Sequence, residues 1–259
     1  MNKWLKIGLG VVACIVLGIA AVFYFTSGMV DTADAFFKAV KERDIAKARG
    51  YLAEDFKANT DEKALTDFLS RGAILNFKKA SWSNRQISGS RGELNGSITT
   101  ETGGVVPIKM TFVKENDKWK IYAIQKPTAG LQTEDSSPTV PAKSDQVALV
   151  KQSMHDFIVS VDKKNMEHFR GTVSRLWQKQ YTTEQLNQAF KAIIDSGANW
   201  AALDDFEPVL AAKSKVDENG VLVLSGYYAT KPSQVYFVQK YIYEGVSWKL
   251  LGFSIEARR

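Results

Sequence analysis

Few of the ionisable residues in this chain of 259 stand out as candidates for acid–base chemistry. Asp204 and Asp205 form an acidic pair close to Trp200, and two carboxylates that share a pocket raise the pKa of one of them, which suits proton transfer. The two histidines, His155 and His168, lack the i, i+4 spacing that lets two imidazoles on one helix bind the same metal. We interpret the acidic pair as a polar turn and both histidines as structural or solvent-facing. We therefore predict no catalytic residue, no metal site and no cofactor.

Aromatic residues in the second half of the chain offer a different kind of site. Tryptophans and tyrosines can line a cavity for an apolar ligand, with polar groups fixing its orientation. Aromatic residues are also common on antiparallel strands, where they pack in a core or an interface. The candidate pocket or interface residues are Trp177, Trp200, Asp204, Asp205, Tyr227, Tyr241 and Tyr243.

Composition and charge exclude several classes of protein. The chain has 45% hydrophobic and 24% charged residues, which is typical of a folded protein and not of a disordered one. Its single cysteine, Cys14, excludes a disulfide framework and a thiolate metal cluster within the chain. The net charge is only +6, and the longest basic clusters are pairs, so we predict no nucleic-acid partner.

The amino-terminal segment predicts a membrane anchor. The run from Ile7 to Phe25 has no charged side chain and would reach about 29 Å as a helix, close to the hydrocarbon thickness of a bilayer. Lys3 and Lys6 precede it, which predicts a cytoplasmic amino terminus. We expect a single-pass protein of the cytoplasmic (inner) membrane, with its domains periplasmic or extracellular and the lipid bilayer as a partner. A cleaved signal peptide and lipidation at Cys14 are the alternatives.

The candidate site residues must be positioned by helices and strands. The same order of helices and strands is predicted twice along the chain. The segments that begin at Phe36 and Phe157 both open an amphipathic helix, and both end in Arg-Gly at an offset of 121 residues. Near the end of each repeat, Trp119 to Ile121 matches Trp248 to Leu250. Hydrophobic periods of 3.6 and then two residues predict about three helices followed by about four antiparallel strands in each repeat. The predicted fold class is therefore α+β.

Capping signals and a proline-rich linker divide the chain further. Thr60 and Thr182 are the expected N-caps of the third helices, and Gln185 completes a capping box with Thr182. Pro127, Pro138 and Pro141 mark the linker. The predicted divisions are a tail and anchor over 1–28, a first domain over 29–126, a linker over 127–145 and a second domain over 146–259.

This pattern resembles the nuclear transport factor two-like superfamily, the cystatin-like cone. The residues that carry the resemblance are Phe36-Phe37, Asp44-Ile45 and Trp119-Lys120-Ile121, repeated as Phe157-Ile158, Asn165-Met166 and Trp248-Lys249-Leu250. The resemblance implies two cone-shaped domains in which the helices pack on a curved antiparallel sheet. Because the superfamily contains enzymes, ligand binders and assembly factors, the fold does not select a function.

From these observations we expect a non-enzymatic, membrane-anchored scaffold or accessory subunit that acts through a protein partner in an envelope complex. The alternative is a module in the second domain that binds a small apolar molecule or lipid. A weaker alternative is an isomerase- or dehydratase-like enzyme that uses Asp204 or Asp205. Whether the chain forms a homo-oligomer is left open.

Overall fold

In both halves of the chain the hydrophobic period changes from 3.6 residues to two, and the structure changes there from helices to an antiparallel sheet. The computed structural model describes residues 26–127, 140–211, 213–217 and 219–258. The chain divides into two units, Met1–Ala129 and Gly130–Arg259. Each unit contains helices followed by one antiparallel sheet, so the predicted α+β class is confirmed.

The first unit begins with helix α1, described over residues 26–41. As its period predicts, α1 buries Ala33, Phe36, Phe37 and Val40 on one face. Three shorter helices and a 3₁₀ turn follow. Their bounds are α2 Ile45–Arg49, α3 Glu54–Asn59, α4 Glu62–Arg71 and the 3₁₀ turn Ile74–Asn76.

The sheet of the first unit is an antiparallel meander in the order β1-β2-β3-β4. Its strands are β1 Phe77–Ser88, β2 Arg91–Thr100, β3 Val105–Glu115 and β4 Lys118–Gln125. Leu94, Ile108, Met110 and Ile121 are buried, because alternate residues of each strand face the helices. The resulting core lies between the helices and one face of the sheet.

The second unit repeats this order with more helical breaks. Its helices are α5 Lys143–Asp162, α6 Glu167–Thr172, α7 Arg175–Gln180, α8 Thr183–Ala189 and α9 Lys191–Ile194, followed by the 3₁₀ segment Trp200–Asp205. Its strands are β5 Val209–Leu210, β6 Lys215–Val216, β7 Val221–Tyr228, β8 Gln234–Glu244 and β9 Ser247–Arg258. β5 and β6 both pair with β7, and β7, β8 and β9 follow in order.

Two details of the helices differ from the sequence-based expectations. Each unit was expected to have about three helices, but the described residues contain four in the first unit and five in the second. Thr60 was expected to cap α4, whereas Asp61 does so, and its carboxylate accepts a hydrogen bond from the Ala64 N–H at 2.7 Å. An aspartate in this position also complements the positive end of the helix dipole. The capping box of Thr182 and Gln185 is confirmed.

The prediction of a single-pass membrane anchor needs correction. Across the residues that the structure describes, no helix is both long enough and apolar enough to cross a membrane. The run from Ile7 to Phe25, on which the prediction rested, lies outside the described residues. The expected inner-membrane location is therefore not supported. The bilayer as a partner stays a prediction. Several large apolar residues of the described helices, such as Phe36, Phe37 and Phe157, are buried in the cores of their units.

Candidate functional site

A groove of about 650 Å³ lies in the second unit, between α7, α8 and strand β9. This volume is within the range of small-molecule sites in proteins. The lining residues are Trp177, Gln180, Tyr181, Gln185, Leu186, Gln188, Ala189, Phe190, Leu251, Gly252 and Phe253. None of them carries a charge, and most are aromatic or aliphatic. The groove is therefore suited to a neutral ligand.

The back of the groove is a cluster of interlocking aromatic rings. Phe253 packs against Phe157 at a centroid distance of 4.7 Å, against Phe169 at 5.4 Å and against Phe190 at 6.0 Å. Trp177 meets Phe169 edge to face at 5.7 Å. Edge-to-face rings hold each other in one arrangement. The apolar wall is therefore preformed by the core of the unit.

The rim of the groove is polar but uncharged. Gln180 and Gln188 are exposed, and Tyr181 retains 45% of its accessible surface. Primary amides donate and accept hydrogen bonds equally well. A ligand with an apolar body and a neutral polar edge would match this combination of wall and rim.

The segment between α7 and α8 is held in place by Arg170. Its guanidinium donates to the carbonyl oxygen of Tyr181 at 2.7 Å and to that of Gln178 at 2.7 Å. Two donors from one planar group fix the direction of the backbone. Arg170 therefore positions the Tyr181 side chain at the rim, although it does not line the groove itself.

The start of α7 is tied to the sheet by two contacts. The Ser174 N–H donates to the Leu250 carbonyl oxygen at 2.8 Å. The Arg175 N–H donates to the buried carboxylate of Glu244 at 2.8 Å, so the last residue of β8 caps the helix. A carboxylate at this position satisfies a free N–H and complements the helix dipole. These two contacts fix the start of α7 and so place the Trp177 side chain in the lining of the groove.

A bulge in β9 shapes the other wall. Lys240 pairs with Gly252 and Tyr241 pairs with Leu250, so Leu251 is an extra residue without a partner in β8. A bulge bends the strand and redirects the side chains that follow it. Leu251 and Phe253 are both brought to the groove in this way.

The same framework recurs in the first unit at an offset of 121 residues. Arg49 donates to the Thr60 carbonyl oxygen at 2.9 Å, as Arg170 does to that of Tyr181. The Ala53 N–H donates to the Ile121 carbonyl oxygen at 2.8 Å, which corresponds to the Ser174 contact.

The carboxylate cap of α7 also has a counterpart in the first unit. The Glu54 N–H donates to Glu115 at 3.0 Å, as that of Arg175 does to Glu244. The sequence alone showed the repeated Arg-Gly pairs to which Arg49 and Arg170 belong. It did not assign them roles, because their partners are distant in sequence.

The structure does not gather the predicted site residues into one place. Trp177 lines the groove. Trp200 is half-buried in the 3₁₀ segment, where its indole N–H donates to Ser196 Oγ at 3.2 Å. Asp204 and Asp205 follow it and are exposed. Neither carboxylate is among the lining residues.

The three predicted tyrosines have separate environments. Tyr227 is on the outward face of β7, with its ring 5.6 Å from that of Tyr236. Tyr241 is fully buried, and its hydroxyl contacts the Leu149 carbonyl oxygen and Ser153 Oγ, each at 3.0 Å. Tyr243 donates to the Val246 carbonyl oxygen at 2.7 Å. These tyrosines stabilise the sheet and do not form part of the groove.

Burial raises the pKa of the Tyr228, Tyr241 and Tyr243 hydroxyls well above their usual range. For Tyr228, the charges of Asp204 and Glu207 add to the effect of burial. The cause is the loss of water around the phenolate, which disfavours the charged form. All three tyrosines are therefore neutral at physiological pH.

Each histidine pairs with one carboxylate. His155 Nδ1 lies 2.9 Å from Asp204, and His168 Nε2 lies 3.2 Å from Asp156. Among the described residues, no group of three or more His, Cys, Asp or Glu side chains could hold a metal ion.

No protein-family model and no curated protein matches the chain. Among solved structures, the designed protein Rd1NTF2_05, in a variant with five substitutions, is similar over 36% of this chain and 90% of its own. The sequence identity is 18% and the TM-score is 0.29, so this likeness carries no argument by itself.

Proposed function

We propose that the second unit binds a neutral, largely apolar small molecule in the groove between α7, α8 and β9. The observation that carries this proposal is the uncharged 650 Å³ groove with an aromatic wall and an amide rim. An apolar ligand gains free energy by leaving water, and the rim amides would orient it. Binding is favoured over catalysis because Asp204 and Asp205 lie outside the lining.

We further propose that the two units are copies of one nuclear transport factor two-like domain. The support is the set of hydrogen bonds that recurs at an offset of 121 residues in the helices. Arg49 and Arg170, like Glu115 and Glu244, make the same backbone contacts in their respective units. The superfamily that these units resemble includes ligand binders, which agrees with the proposed binding role.

The test is a fluorescence titration of the full chain with N-phenyl-1-naphthylamine, a neutral apolar probe that becomes bright in apolar surroundings. We expect saturable binding. Replacing Ala189 with Phe places a ring in the groove, so A189F should weaken binding at least tenfold. Ala148, exposed on α5 and outside the lining, provides the matched control, and A148F should bind like the unchanged chain. Absence of saturable binding would reject the proposal.

A second candidate is a protein partner that inserts an apolar side chain into the same groove. The observation that favours it is the exposure of Leu176 and Tyr181, at 40% and 45%, beside the groove. Aromatic and aliphatic side chains of this kind serve as anchors in protein interfaces. Leu176 does not line the groove. L176E should therefore leave probe binding unchanged but disrupt association with such a partner.

A further inference from the structure

Ala189, which lines the groove, is one of the positions at which the two units differ. The contacts of Arg49 and Arg170, and the capped starts of α4 and α8, place these helices in the same register. Phe68 in the first unit therefore corresponds to Ala189 in the second. Ala189 is exposed at the groove, whereas the Phe68 ring is buried, with 8% of its surface accessible.

Lys126 covers the Phe68 ring from the outside. Its ammonium lies 4.5 Å from the ring centroid and 3.4 Å from the Phe68 carbonyl oxygen. An ammonium over an aromatic face is attracted by the ring electrons, and its alkyl stem covers apolar surface. The aromatic side chain and the lysine together cover the position that is exposed at the groove in the second unit.

The rest of the first unit retains the lining of an apolar groove. Three apolar residues of the first unit occupy positions that line the groove in the second unit. They are Phe56, Leu65 and Leu69, which correspond to Trp177, Leu186 and Phe190. Phe56, Leu65 and Leu69 are all buried. Thr60, at the position of Tyr181, is also buried, and its Oγ1 has no hydrogen-bond partner among the described residues. Buried hydroxyls are normally satisfied, so this one is an exception within the first unit.

We propose that Phe68 is the residue that closes the first unit, so that the chain binds one ligand in the second unit and keeps a closed site of the same class in the first. This inference rests on the proposed function of the second unit. The inference adds the number of ligands bound per chain and names Phe68 as the residue that determines this number. If Phe68 is replaced by Ala and Ala189 by Phe, the binding site should move from the second unit to the first.

The experiment counts bound N-phenyl-1-naphthylamine per chain by titration at protein concentrations above the dissociation constant. We expect one site in the unchanged chain, two in F68A, none in A189F and one in the F68A/A189F double variant. The F68A/K126A variant is included because the lysine stem could fill the space that the ring vacates. Far-UV circular dichroism of every variant identifies the folded ones.

The outcomes separate the two proposals. If the unchanged chain binds no probe, the proposed function of the second unit fails. If the unchanged chain binds one probe but F68A and F68A/K126A still bind one, the inference about Phe68 is overturned while the proposed function stands. Should F68A not fold, the conservative variant F68V takes its place and must gain the second site.

Discussion

At the scale of single residues, the buried Tyr241 links the sheet of the second unit to a helix. Tyr241 reaches from β8 to the carbonyl oxygen of Leu149 and to Ser153, both on α5. A buried hydroxyl contributes to stability only when it finds partners, since leaving it unsatisfied costs about 1–3 kcal/mol. Tyr241, one of the predicted aromatic site residues, therefore has a structural role.

The buried tyrosines predict a loss of stability at alkaline pH. Their pKa values lie above 10 in the folded chain and near the ordinary value of 10.0 in the unfolded chain. Above pH 10 the unfolded state releases protons that the folded state retains. Each tyrosine then lowers the free energy of unfolding by up to about 1.4 kcal/mol per pH unit. Below pH 10 the tyrosines are neutral in both states, so their contribution to the free energy of unfolding is fully present.

The measurement is urea unfolding at several pH values between 9 and about 12, together with the phenolate absorbance at 295 nm. Y243F should give a shallower decline, because one shifted group has been removed. Phenolate absorbance that rises fully near pH 10 in the folded chain would contradict the prediction.

At the scale of elements, short helices carry the groove, and short helices depend on their ends. α8 has seven residues and begins with the capping box of Thr182 and Gln185. A helix of this length gains little from its own hydrogen bonds, so capping and packing decide whether it forms. The groove therefore depends on the start of α8 as well as on the residues that line it.

Replacing Thr182 with Ala should lower the free energy of unfolding by about 1 kcal/mol, because the cap side chain satisfies a free helix N–H. T183A is the matched control, since Thr183 is the first helical residue and alanine suits that position. Its effect should stay within about 0.5 kcal/mol. Urea unfolding followed by tryptophan fluorescence compares the two. Equal effects of T182A and T183A would show that the box contributes nothing.

At the scale of the whole molecule, the chain divides into two units, each with its own buried residues, helices and sheet. The units share a framework of backbone contacts and differ in the residues that fill it. Glu115 and Glu244 show this clearly, because both cap a helix, yet only Glu244 is fully buried. A buried carboxylate contact contributes more to stability than a half-exposed one.

The two carboxylate caps predict local effects of different size. E244A should lower the stability of the second unit by about 2 kcal/mol, and E115A that of the first by about 0.5–1 kcal/mol. Hydrogen exchange of amides in α3 and α7 reports each unit separately. Exchange that rises equally in both units after either substitution would disprove the assignment of each cap to its own unit.

The sequence alone determined the order of elements and several of their ends. The periodicity of Phe36 and Phe157 indicated the first helices, and Thr182 with Gln185 marked the start of α8, because these signals are local in the chain. It misplaced the cap of α4, where adjacent Thr60 and Asp61 offer the same chemistry. The predicted membrane anchor found no support among the described helices.

The tertiary structure alone decided where a ligand could bind. The groove joins α7 and α8 to β9, and its wall depends on Phe253 meeting Phe157 and on the bulge at Leu251. The difference between Phe68 and Ala189 became meaningful only once the two helices were placed in register. Cavities, caps from distant strand ends and ring contacts arise between segments far apart in the chain, and local patterns of residues carry no information about such distances.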